Sequence, residues 1–137
     1  MRKTALVLIG ILILTLGCAG QEVRKEGELA ITKITFPPEF KNTETFEIFI
    51  FYEGNKGGGN LIFNSIFSYR FPRVGWRDYP QPTATFKNQP EKGTIKVLWR
   101  QRVPHQDVQE MDVAIKIWLE NASGRSNTVE VFSKIKL

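Results

Sequence analysis

The feature that most constrains this chain is a two-residue rhythm. "MDVAIKIWLE" sets Val113, Ile115, Ile117 and Leu119 on one side, with Asp112, Lys116 and Glu120 on the other. "TETFEIFIFYE" places Phe46, Ile48, Ile50 and Tyr52 on one face, and Thr45, Glu47, Phe49 and Phe51 on the opposite one. Only an extended backbone, whose side chains alternate across it, turns such spelling into one apolar face and one wetter face; a helix needs a period near 3.6. From Leu29 onward no helical period is present.

The same rhythm recurs between turn signals and predicts strands over 29–36, 43–53, 61–71, 83–87, 94–102, 111–120 and 128–137. Pro37-Pro38 ends the first, while "GNKGGGN" and "NASGRSN" supply turns rich in residues that accept positive φ. Ile95, Val97 and Trp99 share a face, Val129, Val131, Ile135 and Leu137 point inward, and 83–87 reads as an edge strand. Seven short strands in a domain of roughly 110 residues predict an all-β fold, an antiparallel two-sheet sandwich, because one sheet could not bury so many inward residues. A small closed barrel is the alternative that period alone leaves open.

The first residues read as an address. Arg2 and Lys3 precede the uncharged run "TALVLIGILILTLG", which ends at Gly17. A basic start, a short apolar stretch and a small residue before the cut describe a helical secretory signal peptide. A helix from Ala5 to Leu16 covers about 18 Å, too little for a hydrocarbon core of about 30 Å. Cys18 is the single cysteine of the chain, so no intrachain disulfide is possible. "LTLGC" resembles the lipobox of bacterial lipoproteins. The resemblance implies that residues 1–17 are a lipoprotein signal peptide and that Cys18 becomes the lipidated first residue of the mature protein. It also implies a lipid anchor, palmitate among its acyl chains, in a membrane of the cell envelope. Ala19 rather than Asp follows the cysteine, which in Gram-negative lipoproteins implies the outer membrane, facing the periplasm. Residues 18–27 then read as a polar tether.

Charge excludes one class of partner. The chain carries a formal +5, but without Arg2 and Lys3 the remainder holds 17 basic against 14 acidic residues. That balance lacks the clustered basic footprint of a nucleic-acid binder, and no nucleic acid is expected.

The domain, 28–137, has a resemblance of its own. "ITFPPEFKNTETFEIFIFYEGNKGGG", followed much later by "VAIKIWLENASGRSNTVEV", is similar to bacterial immunoglobulin-like and fibronectin type III-like domains. The shared features are a Pro-containing first strand leading into a polar turn, and a polar Gly/Ser/Asn turn in the last hairpin. The resemblance implies an immunoglobulin-like sandwich of about seven strands.

No stretch spells a catalytic or cofactor site. His105 is the only histidine and lies in "RVPHQDVQEMD", where Asp107 is too close in sequence to orient it as a base. Asp107, Glu110 and Asp112 could offer oxygens to a hard cation, but no glycine-containing loop aims them. The glycines of "NKGGGN" precede a strand, not the helix a phosphate cradle needs. The expectation is therefore a protein with no cofactor, no metal and no enzymatic activity.

The unusual stretch is "SYRFPRVGWRDYPQP", read as a loop over 68–82. It interleaves Tyr69, Trp76 and Tyr79 with Arg70, Arg73 and Arg77. Three uses fit such a composition: a protein contact, since Trp, Tyr and Arg dominate binding hot spots; a glycan-binding loop with stacked rings; or a cap over an open edge of the sandwich with arginines reaching outward. On the last two strands Trp118 and Phe132 point away from the core, and a register pairing Leu119 with Val129 would set the two rings diagonally adjacent. The leading expectation is a non-catalytic lipoprotein whose domain binds another envelope protein. A glycan-binding module built on 68–82 is the alternative.

Overall fold

The computed structural model describes residues 28–137; the expected signal peptide, Cys18 and the tether lie outside the described residues. Every regular element among the described residues is a strand: β1 (Ala30–Thr35), β2 (Phe40–Lys41), β3 (Thr45–Glu53), β4 (Gly59–Phe71), β5 (Gly75–Pro80), β6 (Ala84–Gln89), β7 (Gly93–Arg100), β8 (Glu110–Asn121), β9 (Gly124–Arg125) and β10 (Val129–Lys136). The seven segments with period-two spelling are all strands, with ends within two residues of those expected. β5 falls inside the stretch expected to be a loop, and β2 and β9 are two-residue additions.

The strands form two open sheets. The smaller has the order β1-β3-β7; the larger runs β2-β10-β8-β4-β5, with β6 also on β4 and β9 on β8. All pairings are antiparallel except the short β10–β2 contact. Neither sheet closes on itself, so the barrel alternative is set aside.

Alternation decides what lies between the sheets. Ile48, Ile50 and Tyr52 of β3 and Ile95 and Val97 of β7 are buried in one cluster with Phe63 and Phe67 of β4, the inward residues of β8, and Ile135. Aromatic rings bridge the two layers. Trp99 on β7 stacks on Phe67 at 6.0 Å and meets the Phe63 edge at 5.6 Å, while Phe40 and Phe46 lie 4.4 Å apart. Fully burying each large apolar side chain stabilises the fold by about 1.5–3 kcal/mol. One inward expectation fails: Leu137 lies past the end of β10 and is exposed, whereas Ser133 takes the inward place between Val131 and Ile135 and hydrogen-bonds the Pro37 carbonyl at 2.8 Å.

β4 organises the larger sheet. Its 13 residues span about 40 Å and carry two partners on one side: β6 along Gly59–Phe63 and β5 along Ile66–Phe71. β5 and β6 run the same way, so together they form one edge strand interrupted at Gln81-Pro82-Thr83. β4 turns into β5 through Pro72-Arg73-Val74, with Arg73 at φ 65° and Gly75 at φ 89°.

The chain enters at one pole of the molecule, where Ala30 pairs with Glu53. Gly54 adopts φ 80° there, and a Cβ on it would lie 2.1 Å from the Glu28 carbonyl oxygen, so only glycine fits. The β4–β5 turn lies at the opposite pole, with the ends of β1 and β7 and the start of β8.

Candidate functional site

The candidate site is the β4–β5 hairpin. The pairing opposes Ile66 to Pro80, Phe67 to Tyr79, Ser68 to Asp78, Tyr69 to Arg77 and Arg70 to Trp76. Since Phe67 and Tyr69 face the core, Tyr79 and Arg77 share the inner side of the sheet, while Trp76 and Asp78 stand on its outer side.

This placement sorts the residues expected to make contacts. Trp76 is 47% exposed and Tyr79 45%, large fractions for rings of that size. Arg73 and Arg77 are exposed, and among the described residues neither has a carboxylate within ion-pair distance. Arg70 is exposed but lies 3.8 Å from the Asp112 carboxylate.

Tyr69 is a correction, because it is buried and offers no contact surface. Its hydroxyl donates to Gln101 Oε1 at 2.8 Å, and Gln101 Nε2 donates to Gln81 Oε1 at 3.1 Å. Burial, with a smaller effect from Tyr79, pushes the Tyr69 phenol far above its ordinary range. The signal was ambiguous because 61–71 is apolar on both faces, and alternation alone does not say which side Tyr69 takes.

Trp76 and Tyr79 are both exposed, but on different sides of the hairpin. Tyr79 leans on Tyr69 at 5.9 Å and on Phe71 at 6.1 Å, with all three rings on the inner side of the larger sheet. Trp76 leaves the strand on the opposite side, so the two rings do not share a groove.

Trp118 and Phe132 are not brought together. β10 pairs Val129 with Ile117 and Phe132 with Ala114, two residues out of the expected register. Trp118 and Ala114 are four residues apart, so the rings are separated by about 13 Å along the strands. The shift arises in the turn, where Ser126 takes the place beside Leu119: its N–H donates to the Leu119 carbonyl at 2.7 Å and its Oγ accepts from the Leu119 N–H at 2.8 Å. Trp118 is half-buried under the Arg125 guanidinium, 4.7 Å from its ring, and donates to Glu120. Phe132 stands alone, 69% exposed.

The acidic loop residues are spoken for. Glu110 accepts from Lys136 at 2.6 Å and faces Lys134 at 3.5 Å, and Asp112 faces Lys134 and Arg70. The Lys136 hydrogen bond, then the Lys134 charge, hold the Glu110 carboxyl below its ordinary value. His105 and Asp107 face each other at 3.7 Å on the open surface. Among the described residues no group of three or more His, Cys, Asp or Glu could hold a metal ion.

Comparison with known proteins adds little to this geometry. No family model matches the chain, and no curated protein sequence matches it. Solved structures resemble it at low identity. The sporulation control protein Spo0M from Bacillus subtilis is 10% identical over 80% of this chain, with a TM-score of 0.49. The chain spans half the length of that protein. The superoxide reductase (neelaredoxin) of Ignicoccus hospitalis is 11% identical over 80% of both chains, with a TM-score of 0.46. The Pseudomonas fluorescens alkylpurine DNA glycosylase AlkC is 14% identical over 90% of this chain and 33% of its own, at a TM-score of 0.46. None of these three reaches 0.5, and neither fold family nor activity follows from them.

Proposed function

We propose that this chain is a non-catalytic, membrane-anchored envelope lipoprotein whose immunoglobulin-like domain binds another envelope protein through the β4–β5 hairpin. The observation that carries the binding half is the exposure of Trp76 and Tyr79 on one short strand beside the unpaired Arg73 and Arg77. Leaving two large rings in water forgoes burial that a partner would restore, and Trp, Tyr and Arg are the residues whose truncation most often costs binding energy.

The anchor half rests on "LTLGC", with Cys18 as the lipidated residue. Polarity supports joining the halves. The described domain begins at the pole opposite the hairpin, so an anchor at Cys18 would leave the hairpin facing away from the bilayer. The ten residues from Cys18 to Gly27 could extend at most about 35 Å, enough to free the domain from the headgroups.

Crosslinking in native membranes tests the contact. Wild-type chain should capture a defined neighbour, and a Trp76→Ala, Arg77→Ala chain should lose roughly nine-tenths of that capture, a tenfold loss in affinity. Equal capture by both chains would sink the proposed contact. Metabolic labelling with a palmitate analogue tests the anchor separately: Cys18→Ser should abolish the label, and a label that persists removes Cys18 from the reading.

A further inference from the structure

We infer that β5 takes its partner by strand addition, accepting an extended segment in which acidic residues recur at every second position. The inference rests on the protein-contact reading above and specifies its mode and the chemistry of the partner.

The phase of the β4–β5 ladder shows which backbone groups are free. The Gln81 N–H donates to the Ser65 carbonyl at 3.0 Å, in line with the pairing that continues through Ile66–Pro80. Antiparallel alternation then turns the backbone of Tyr79, Arg77 and Gly75 toward β4 and that of Pro80, Asp78 and Trp76 away from it. Pro80 fits this phase, because its missing N–H falls where β4 asks for none. β5 is the outermost strand at this end of the larger sheet. Its open side therefore presents the N–H groups of Trp76 and Asp78 and the carbonyls of Trp76, Asp78 and Pro80.

The other strand edges are managed differently. β10 is covered by β2 and by the Lys134 N–H, which donates to the Pro38 carbonyl. On β1, Asn127 accepts from the Ile31 N–H and donates to its carbonyl. β6 lies between Pro82 and Pro90, with Asn88 at φ 55° and its N–H turned to Asn60. β7 carries Lys96 and Arg100 along its outer side, charges of the kind that discourage edge pairing. Among the described strands only β5 combines an open ladder with two exposed rings, Arg77 on the strand and Arg73 in the turn before it.

Charge selects the occupant. A strand laid on β5 alternates its side chains between the Arg77 side and the Trp76–Asp78 side. Carboxylates on the first side meet Arg77, with Arg73 close by at the turn, whereas carboxylates on the second would meet Asp78. A second copy of this chain, paired antiparallel about Arg77, would set the two Arg77 guanidinium groups side by side. An acidic, alternating segment fits and a twin does not.

The test uses the full chain in detergent and a soluble peptide of about five Glu-Thr repeats, with a block peptide of the same composition as control. The alternating peptide should bind at least tenfold more tightly than the block peptide. It should also slow hydrogen exchange at the Trp76 and Asp78 amides. Asp78→Pro, which removes an N–H that β4 does not use, should abolish that binding, while Asp78→Ala should retain it. No binding, equal binding of the two peptides, or exchange at Trp76 and Asp78 unchanged by the peptide overturns strand addition. If those results come with partner capture that still depends on Trp76 and Arg77, the contact itself stands and only its mode is wrong.

Discussion

The two poles of this domain are built on opposite terms. At the pole where the chain enters, the loops are tied to one another by a buried side chain, Asn55. Its Nδ2 lies within 3.2–3.3 Å of the Gly59, Gln89 and Pro90 carbonyls, its Oδ1 accepts from Asn121 at 3.1 Å, and its N–H donates to Glu91. At the far pole the β4–β5 hairpin holds rings and guanidinium groups out in water. One end spends its polar groups on itself; the other keeps its surface available. The difference teaches that the exposed end is not a general looseness of the fold, since comparable loops elsewhere are closed.

The largest effect should come from the closed pole. Asn55→Ala strips three carbonyls of a shared donor in a buried setting and should cost about 3 kcal/mol in urea unfolding. A loss below about 0.5 kcal/mol would mean that Asn55 does not hold the loops. At the hairpin, Tyr79→Ala should cost about 1 kcal/mol, because its ring packs on Tyr69 and Phe71. Trp76→Ala should stay within about 0.5 kcal/mol of wild type in the same measurement, since its ring stands largely in solvent on the outer side of the sheet. A Trp76 variant as damaging as Asn55→Ala would erase the contrast between the poles.

The smallest effect is one of pH. Glu110 is held below its ordinary 4.5, so its contribution is present above that value and is lost as pH falls through the depressed folded value. Lys136 is raised above its ordinary 10.5, first by Glu110 and then by Glu39; its contribution is complete below 10.5 and is lost as pH rises through the raised value. Amide protection along the β2–β10 edge, taken as exchange relative to the intrinsic rate at each pH, should therefore fall at both extremes and stay level between them. Protection that falls across neutral pH would contradict this pairing.

How far the sequence foretold this molecule depended on whether a strand had a dry side. β3 and β8 each bury one face, and their alternating spelling fixed both their extent and their inward residues. β5 has almost no buried face, so nothing in "GWRDYP" alternates, and the stretch read as a loop. Trp76 and Tyr79 were legible as a surface from composition, but their placement on opposite faces came only with the pairing to β4. The separation of Trp118 from Phe132 was hidden for a similar reason: Ser126 intrudes on the last hairpin through one hydroxyl and shifts the register. Asn55 was invisible altogether, because its partner Asn121 lies 66 residues away.

β1 leaves the entry pole along its own axis, paired with β3 from Ala30 to Thr35 and gripped at Ile31 by Asn127. Its ladder bonds lie across that axis. A pull on the chain ahead of Glu28, resisted at the hairpin, would thus load the β1 ladder in shear, all bonds together. Tension along this line meets its resistance at the root of the domain, where no single pair can give way ahead of the others.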